Sequence, residues 1–316
     1  MKRHRIGSLK GRDLLKLSDL STDEIMKLLE IAAQLKSGKL NPSVTVNGHP
    51  PVLGLLFYKA STRTRVSFST AMYHLGGQVL DLPLNATQVS RGEPIADTAR
   101  VLDRYLDILA IRTFEQSDLD IFAQEMQIPV INALTDLEHP CQILADLQTI
   151  QENFSTLSGL TLTYVGDGNN VAHSLMIGCA LVGMNVRIAT PLNYRPDPTI
   201  VQLTENIANG KSEVLLTEDA IAATKGSHII YTDVWASMGQ EDLAESRIPL
   251  FQSYQVNDDL LSYADKDAIV LHCLPAHRGE EITHEVIEGA QSKVWDQAEN
   301  RMHAQKALMA SLLGAV

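Results

Sequence analysis

Between Phe57 and Arg65 the sequence runs Phe-Tyr-Lys-Ala-Ser-Thr-Arg-Thr-Arg, which sets hydroxyl and guanidinium groups side by side directly after an apolar run, Val52 to Phe57. The run predicts a buried strand. Phe68, Met72 and Leu75 then recur at helical spacing, so a strand, a turn and a helix follow one another. Free N–H groups at a helix start, the positive end of its dipole, hydroxyls and forked arginines together favour a bound phosphate. Any one such residue is more commonly a helix cap or a solvated side chain. The unbroken series Ser61 to Arg65 behind a strand favours the anion site instead.

Further candidates stand at the ends of other apolar runs. Leu106 to Ile111 ends at Arg112, and a strand over Pro129 to Leu134 is followed by the turn Thr135 to His139 and a helix opened by Pro140. His139 and Gln142, three apart at that helix start, can face one ligand. A lone His there is usually a cap, so His139 takes its weight from its predicted neighbours. A strand over His228 to Tyr231 delivers Asp233, a carboxylate suited to holding an ammonium group, with Ser237 in the turn beyond. An Asp that simply starts a turn fits that stretch equally well. The run Ala268 to Leu271 leads into His272-Cys273-Leu274-Pro275. The usual outcome for a single cysteine such as Cys273 is an inert buried thiol.

These positions need a scaffold that brings strand ends together. Leu20 to Ser37 reads as a helix with a capping-box start at Ser21-Thr22-Asp23-Glu24. A loop, Leu82 to Pro94, leads to a helix through Ile95, Ala99, Leu102 and Leu106, and Leu119 to Met126 is a further helix. A polar, linker-like stretch over Gln151 to Ser158 follows the helix that turns Leu144, Leu147 and Ile150 inward. A second alternating pattern then begins with Leu160 to Val165, Gly166-Asp167-Gly168-Asn169-Asn170, a helix over Val171 to Val182 and a strand over Asn185 to Thr190. Ala298-Glu299-Asn300-Arg301 precedes a last helix striped with Leu308, Met309, Leu312 and Leu313. The prediction is an α/β protein of two domains, each a mostly parallel sheet flanked by helices. Residues 1–150 form the first and 151–300 the second, with the C-terminal helix, 301–316, packing back on the first. Open sheets of this kind bind ligands outside the carboxyl ends of their strands, where Ser61 to Arg65, Arg112 and His139 then meet.

Composition agrees with such a protein. A length of 316 residues exceeds what one core usually supports. No apolar run approaches the roughly 20 residues needed to cross a bilayer. The net charge of −12 disfavours nucleic acid as a partner, so an anion site must be a local basic pocket in an acidic body. Cys141, Cys179 and Cys273 are too few and too scattered for a disulfide framework or metal cluster, which suits the cytoplasm. The basic segment Met1 to Arg12 lacks the apolar core of a secretory signal.

Taken together, these motifs resemble the aspartate/ornithine carbamoyltransferase superfamily over nearly the whole chain. Ser61-Thr62-Arg63-Thr64-Arg65 is its general mark. Lys59, His139-Pro140-Cys141-Gln142, Asp233 with Ser237-Met238-Gly239, and His272-Cys273-Leu274-Pro275 resemble the ornithine branch. The resemblance implies that Ser61, Thr62, Arg63, Thr64 and Arg112 hold carbamoyl phosphate, with His139 and Gln142 at its carbamoyl end and Cys273, Leu274 and Arg301 lining a cleft between domains. It implies that Asn170, Asp233, Ser237 and Met238 hold L-ornithine, and that Gln88 serves a neighbouring subunit of a homotrimer or multiple of trimers. Tyr58, where an acid is usual, and Pro94, where a Ser is usual, depart from the pattern.

The implied chemistry needs positive charge at a phosphate leaving group and a donor at a carbonyl oxygen turning tetrahedral. Arg63 with the Ser/Thr cluster suits the first need, and Thr62, Arg112 and His139 suit the second, so no metal or cofactor is called for. The nucleophile, an amine with a pKa of about 10.4 in water, must first lose a proton, which desolvation near Asp233 and Cys273 favours. Binding is expected to be ordered, carbamoyl phosphate first, with closure excluding water. An NAD-dependent dehydrogenase built on Gly166-x-Gly168 is the competing enzyme class. It is weakened by the missing third glycine and by Pro191-Leu192-Asn193 where a ribose-binding acid belongs. A non-catalytic phosphate or amino-acid sensor is the third reading.

Overall fold

The computed structural model describes residues 8–236 and 244–316. They form two compact units, one made of the described residues up to Ala145 with Asn300–Val316, the other of Asp146–Glu299.

In the first unit α1 spans Thr22–Lys36, and its start is the expected capping box: the Ser21 hydroxyl accepts from the Glu24 N–H while the Glu24 carboxylate accepts from the Ser21 N–H. Then come β1 (Val52–Phe57), α2 (Thr62–His74), β2 (Gln78–Pro83), α3 (Ile95–Leu102), β3 (Ile108–Arg112), α4 (Gln116–Glu125), β4 (Val130–Leu134) and α5 (Pro140–Phe154), which passes into the second unit after Ala145. The sheet order is β2-β1-β3-β4, every pair parallel. Phe57 stands in register with Arg112, and Arg112 with Leu134. The three loops that leave these strands therefore begin side by side, because parallel strands end on the same edge. Leu56, Leu109, Ile111, Leu119, Phe122 and Val130 make the core behind them.

The second unit repeats the plan with β5 (Thr161–Val165), α6 (Asn170–Val182), β6 (Asn185–Ala189), α7 (Pro198–Ala208), β7 (Val214–Thr217), α8 (Ala220–Thr224), β8 (Ile229–Thr232), α9 (Ala244–Phe251), α10 (Asp258–Leu261), β9 (Ile269–His272) and α11 (His284–Ile287). Its parallel sheet has the order β7-β6-β5-β8-β9. The order reverses direction at β5, so the β5 and β8 outflows sit together at a switch point. The last helix, α12 (Val294–Leu312), starts in this unit and ends in the first, where Ala307 packs on Ile31, Ala32 and Leu35 of α1. The expected return of the C-terminal helix is thus present.

Among the boundaries that differ from the sequence reading, four have a clear local account. Leu82 and Pro83 belong to β2, an edge strand whose outward side chains leave no apolar run to betray it. Leu106 lies beyond α3, in the turn leading to β3. The stretch from Gln151 is not linker at its start, since α5 continues to Phe154, carried by the i,i+4 bonds Gln148 to Glu152 and Asn153 to the Thr149 carbonyl. Ala298 to Arg301 lie inside α12 rather than before it.

Gly168 is fixed by close approach. A Cβ there would stand 2.4 Å from the Pro196 nitrogen and 2.5 Å from the Tyr194 carbonyl oxygen, both backbone atoms that cannot yield. We expect Gly168→Ala to cost about 1–3 kcal/mol in urea denaturation. An unshifted midpoint would show that the turn relaxes freely.

Candidate active site

The first half-site stands on the loops leaving β1, β3 and β4. Ser61 is the N-cap of α2, yet its hydroxyl makes no capping hydrogen bond, so the helix start keeps its positive end for a ligand. Arg63 is partly buried, and Arg112 and Arg301 are almost wholly so. Arg301, reaching in from α12, donates to the Thr64 hydroxyl at 2.5 Å. His139 lies among these cations. Burial, aided by the charges of Arg301, Arg112 and Arg63, holds its pKa well below the usual histidine value. The imidazole is therefore neutral and can offer an N–H without adding charge.

Neighbouring contacts hold these loops. The Glu138 carbonyl accepts from the Thr135 N–H, and the Glu138 N–H donates to the Thr135 hydroxyl, closing the turn that presents His139. The buried Glu138 carboxylate also accepts from the Leu17 N–H at 2.9 Å. Lys59 links all three loops, 2.8 Å from Asp136 and 3.8 Å over the Phe114 ring. Gln142 is buried one turn into α5, its N–H on the His139 carbonyl.

The sequence reading placed Arg65 in this anion cluster, and the structure removes it. Arg65 pairs with Asp81 of β2 and lies over the Phe57 ring, because a residue one position past Thr64 turns to another face of α2. Gln88 is exposed in a 3-10 turn, Gln88–Arg91, and shares no hydrogen bond with the cluster among the described residues. Tyr58 packs its ring on the core beside Asp118, and burial pushes its hydroxyl up to about 12. Pro94 directly precedes α3, whose opening is tied by Thr98 donating to Glu93.

The second half-site sits at the β5, β8 and β9 outflows. Asp233 follows β8, and both of its oxygens are engaged: Cys273 Sγ donates to Oδ1 at 3.0 Å and Asn169 Nδ2 donates to Oδ2 at 2.9 Å. The pairing of Asp233 with Cys273 is the one the sequence led us to expect. Asn169 was missed. Its signal was its place before the apolar helix, for it is the N-cap of α6, its Oδ1 accepting from the Val171 and Ala172 N–H groups. Asn170 opens α6. Ser237 and Met238 lie outside the described residues.

Behind Cys273 stands a fully buried chain of polar groups. His272 Nδ1 accepts from the Leu274 N–H at 2.8 Å, so its proton is on Nε2, which donates to Glu281 at 3.0 Å. Leu274 has φ +58°, a conformation a branched residue adopts only when held. Gln297 accepts from the His272 N–H and donates to Asp146. Asp233, His272 and Cys273 each bring a possible metal ligand within 4.8 Å of the others. The Cys273–Asp233 bond, with those of His272 to Leu274 and Glu281 and of Asp233 to Asn169, already engages these atoms.

The Gly166–Asn170 turn does not have the form of a dinucleotide cradle. The Gly168 N–H donates to the Tyr194 carbonyl, and the Tyr194–Pro196 backbone fills the space against which a pyrophosphate would lie. Asp167 within it is paired with Arg247, while burial raises its pKa to about 6.

The chain matches two family models: Aspartate/ornithine carbamoyltransferase, carbamoyl-P binding domain, over residues 12–152, and the Asp/Orn binding domain of the same family over 158–312. It is 68% identical to a Nostoc punctiforme protein named ornithine carbamoyltransferase, over 98% of this chain and 100% of the relative. A Synechocystis sp. protein of that name is 67% identical, over 98% and 99%. Among solved structures, an ornithine carbamoyltransferase from Pyrococcus furiosus superposes with a TM-score of 0.93 at 48% identity, over 98% of this chain and 100% of that one. One from Gloeobacter violaceus gives 0.87 at 55%, over 96% and 98%.

The neutrality of His139 has a measurable sign. Below about pH 6.5 the unfolded chain takes up a proton that the folded imidazole refuses, so stability falls with falling pH. We expect His139→Gln to flatten that acid limb by up to about 1.4 kcal/mol per pH unit in denaturation series. Superimposable limbs would mean that the folded imidazole is protonated.

Proposed function

Because the chain belongs to the aspartate/ornithine carbamoyltransferase family, we propose that it transfers the carbamoyl group of carbamoyl phosphate to the δ-amine of L-ornithine, giving L-citrulline and phosphate. The chain is an enzyme of arginine metabolism, with one domain for carbamoyl phosphate and one for the amino acid. We assign residues 1–150 with 301–316 to the first and 151–300 to the second. The observation that carries the reading is the convergence of Arg63, Arg112 and Arg301 on a neutral His139 at the start of α2.

In this reading Ser61, Thr62, Arg63, Thr64 and the α2 N-terminus take the phosphate, whose two negative charges offset the mutual repulsion of the arginines. Arg301 holds Thr64 in place and adds its charge. Arg112 and the His139 N–H stabilise the carbonyl oxygen as the amine adds to the carbon, and Gln142 orients the carbamoyl NH₂. By motif, Cys273 and Leu274 contact carbamoyl phosphate as well. Asn170, Asp233, Ser237 and Met238 hold ornithine. The departing phosphate is itself a proton acceptor, so the δ-amine needs only to arrive neutral. Desolvation at the half-site favours that form, while Asp233, steadied through both oxygens, holds the amino-acid end.

Homo-oligomerisation, in threes by resemblance, is supported by the exposed Val66, Tyr73 and Leu80 on the outer face of α2 and the β2 edge. Gln88 would then serve a neighbouring copy. A cytoplasmic setting is supported by Cys141, Cys179 and Cys273, which are buried and form no disulfide among the described residues. No helix among the described residues is long and apolar enough to cross a membrane.

With radiolabelled carbamoyl phosphate and a panel of ornithine, acetylated ornithine, putrescine and aspartate, we expect labelled product from ornithine alone. Arg112→Met should lower kcat by about 10²–10³. Labelling of another amine in preference would overturn the substrate, and an unaffected Arg112→Met the half-site. In pH profiles of turnover, Cys273→Ser and Asp233→Asn should displace the basic-to-neutral limb. Limbs that coincide with the parent's would remove both residues from amine selection.

A further inference from the structure

The second unit contains a buried cation that the proposed reaction does not use. We propose that Arg247 is a positioning residue for the amino-acid half-site, tying the turn that carries Asn169 and Asn170 to the β8 outflow that carries Asp233. The inference rests on the reading that Asn170 and Asp233 hold ornithine.

A single nitrogen makes the tie. Arg247 Nη1 donates to Asp167 Oδ2 at 2.7 Å and to the Trp235 carbonyl at 2.5 Å. Asp167 lies two residues before Asn169, and Trp235 two residues after Asp233. The bridge therefore spans the two segments whose side chains meet in the 2.9 Å bond from Asn169 to Asp233. The guanidinium is held in turn. Its face lies 5.0 Å over the Tyr194 ring, and the Tyr194 carbonyl accepts the Gly168 N–H from the same turn. Phe251, one turn along α9 from Arg247, stacks on Trp235 at 5.8 Å and meets Tyr194 edge-on at 4.8 Å.

Arg247 and Asp167 are each only 8% exposed. Removing the cation leaves a buried carboxylate and a peptide carbonyl without their donor, and both segments must shift to rehydrate them. A shift of either segment misaligns Asp233. The first half-site belongs to the other unit and shares none of these contacts.

The test compares the parent enzyme with Arg247→Met, Arg247→Lys and Asp167→Asn in steady-state carbamoylation of ornithine, alongside calorimetric binding of carbamoyl phosphate. Arg247→Met should raise the KM for ornithine tenfold or more, with kcat within threefold and carbamoyl phosphate affinity within twofold. Arg247→Lys, which keeps the charge and donors on a shorter stem, should fall between. Asp167→Asn should act in the same direction and add less than its own factor in the Arg247→Met background. An ornithine KM within twofold of the parent in folded Arg247→Met would overturn the proposal, and so would equal losses for both substrates. Should Arg247→Met fail to fold, Arg247→Lys decides on the same criteria. Failure of the parent itself to carbamoylate ornithine would overturn the functional reading instead.

Discussion

Concentrating positive charge at one edge of a parallel sheet is the constraint on which the rest of the structure depends. The protein carries a net charge of −12, yet Arg63, Arg112 and Arg301 converge on one buried imidazole. Like charges brought together in a poorly solvated place repel strongly. The fold meets that cost by drawing the cations from separate, rigid elements: α2, the end of β3 and α12. The imidazole among them responds by staying neutral. The same arrangement suits a dianionic ligand, which relieves the repulsion by binding.

The amino-acid half-site follows a different logic. Its central group is one carboxylate, and the surroundings fix its orientation rather than multiply its charge. Asp233 accepts from a thiol on one oxygen and an amide on the other, and each donor is itself held, Asn169 by capping α6 and Cys273 by following the buried His272–Glu281 pair. Preorganisation of this kind lowers the ordering that binding must otherwise bring about.

Much of this was legible in the sequence. The strand over Val52–Phe57, the capping box of α1 and the parallel winding of both units follow from local pattern, since burial and capping act within a few residues. Strand β2 was not legible, because in this edge strand Gln78 and Asp81 interrupt the apolar residues and none of the six is buried. Arg65 looked equal to Arg63 in a string of five similar residues, and only the turn of a helix sends one toward the site and the other to Asp81. The contacts of Asn169 with Asp233 and of Gln297 with His272 were hidden for another reason. The partners lie 64 and 25 residues away, respectively.

By itself the sequence determined the residue types able to carry a phosphate and an ammonium group, and the strand ends that deliver them, because side-chain chemistry and hydrophobic period are properties of the chain. Only the tertiary structure decided that His139 is neutral, that Arg301 leans on Thr64, that Asp233 is held from both sides and that Gly168 meets backbone rather than ligand. Protonation, hydrogen-bond partner and free volume depend on what is desolvated next to what. Folding settles that by bringing distant segments within a few ångströms of one another.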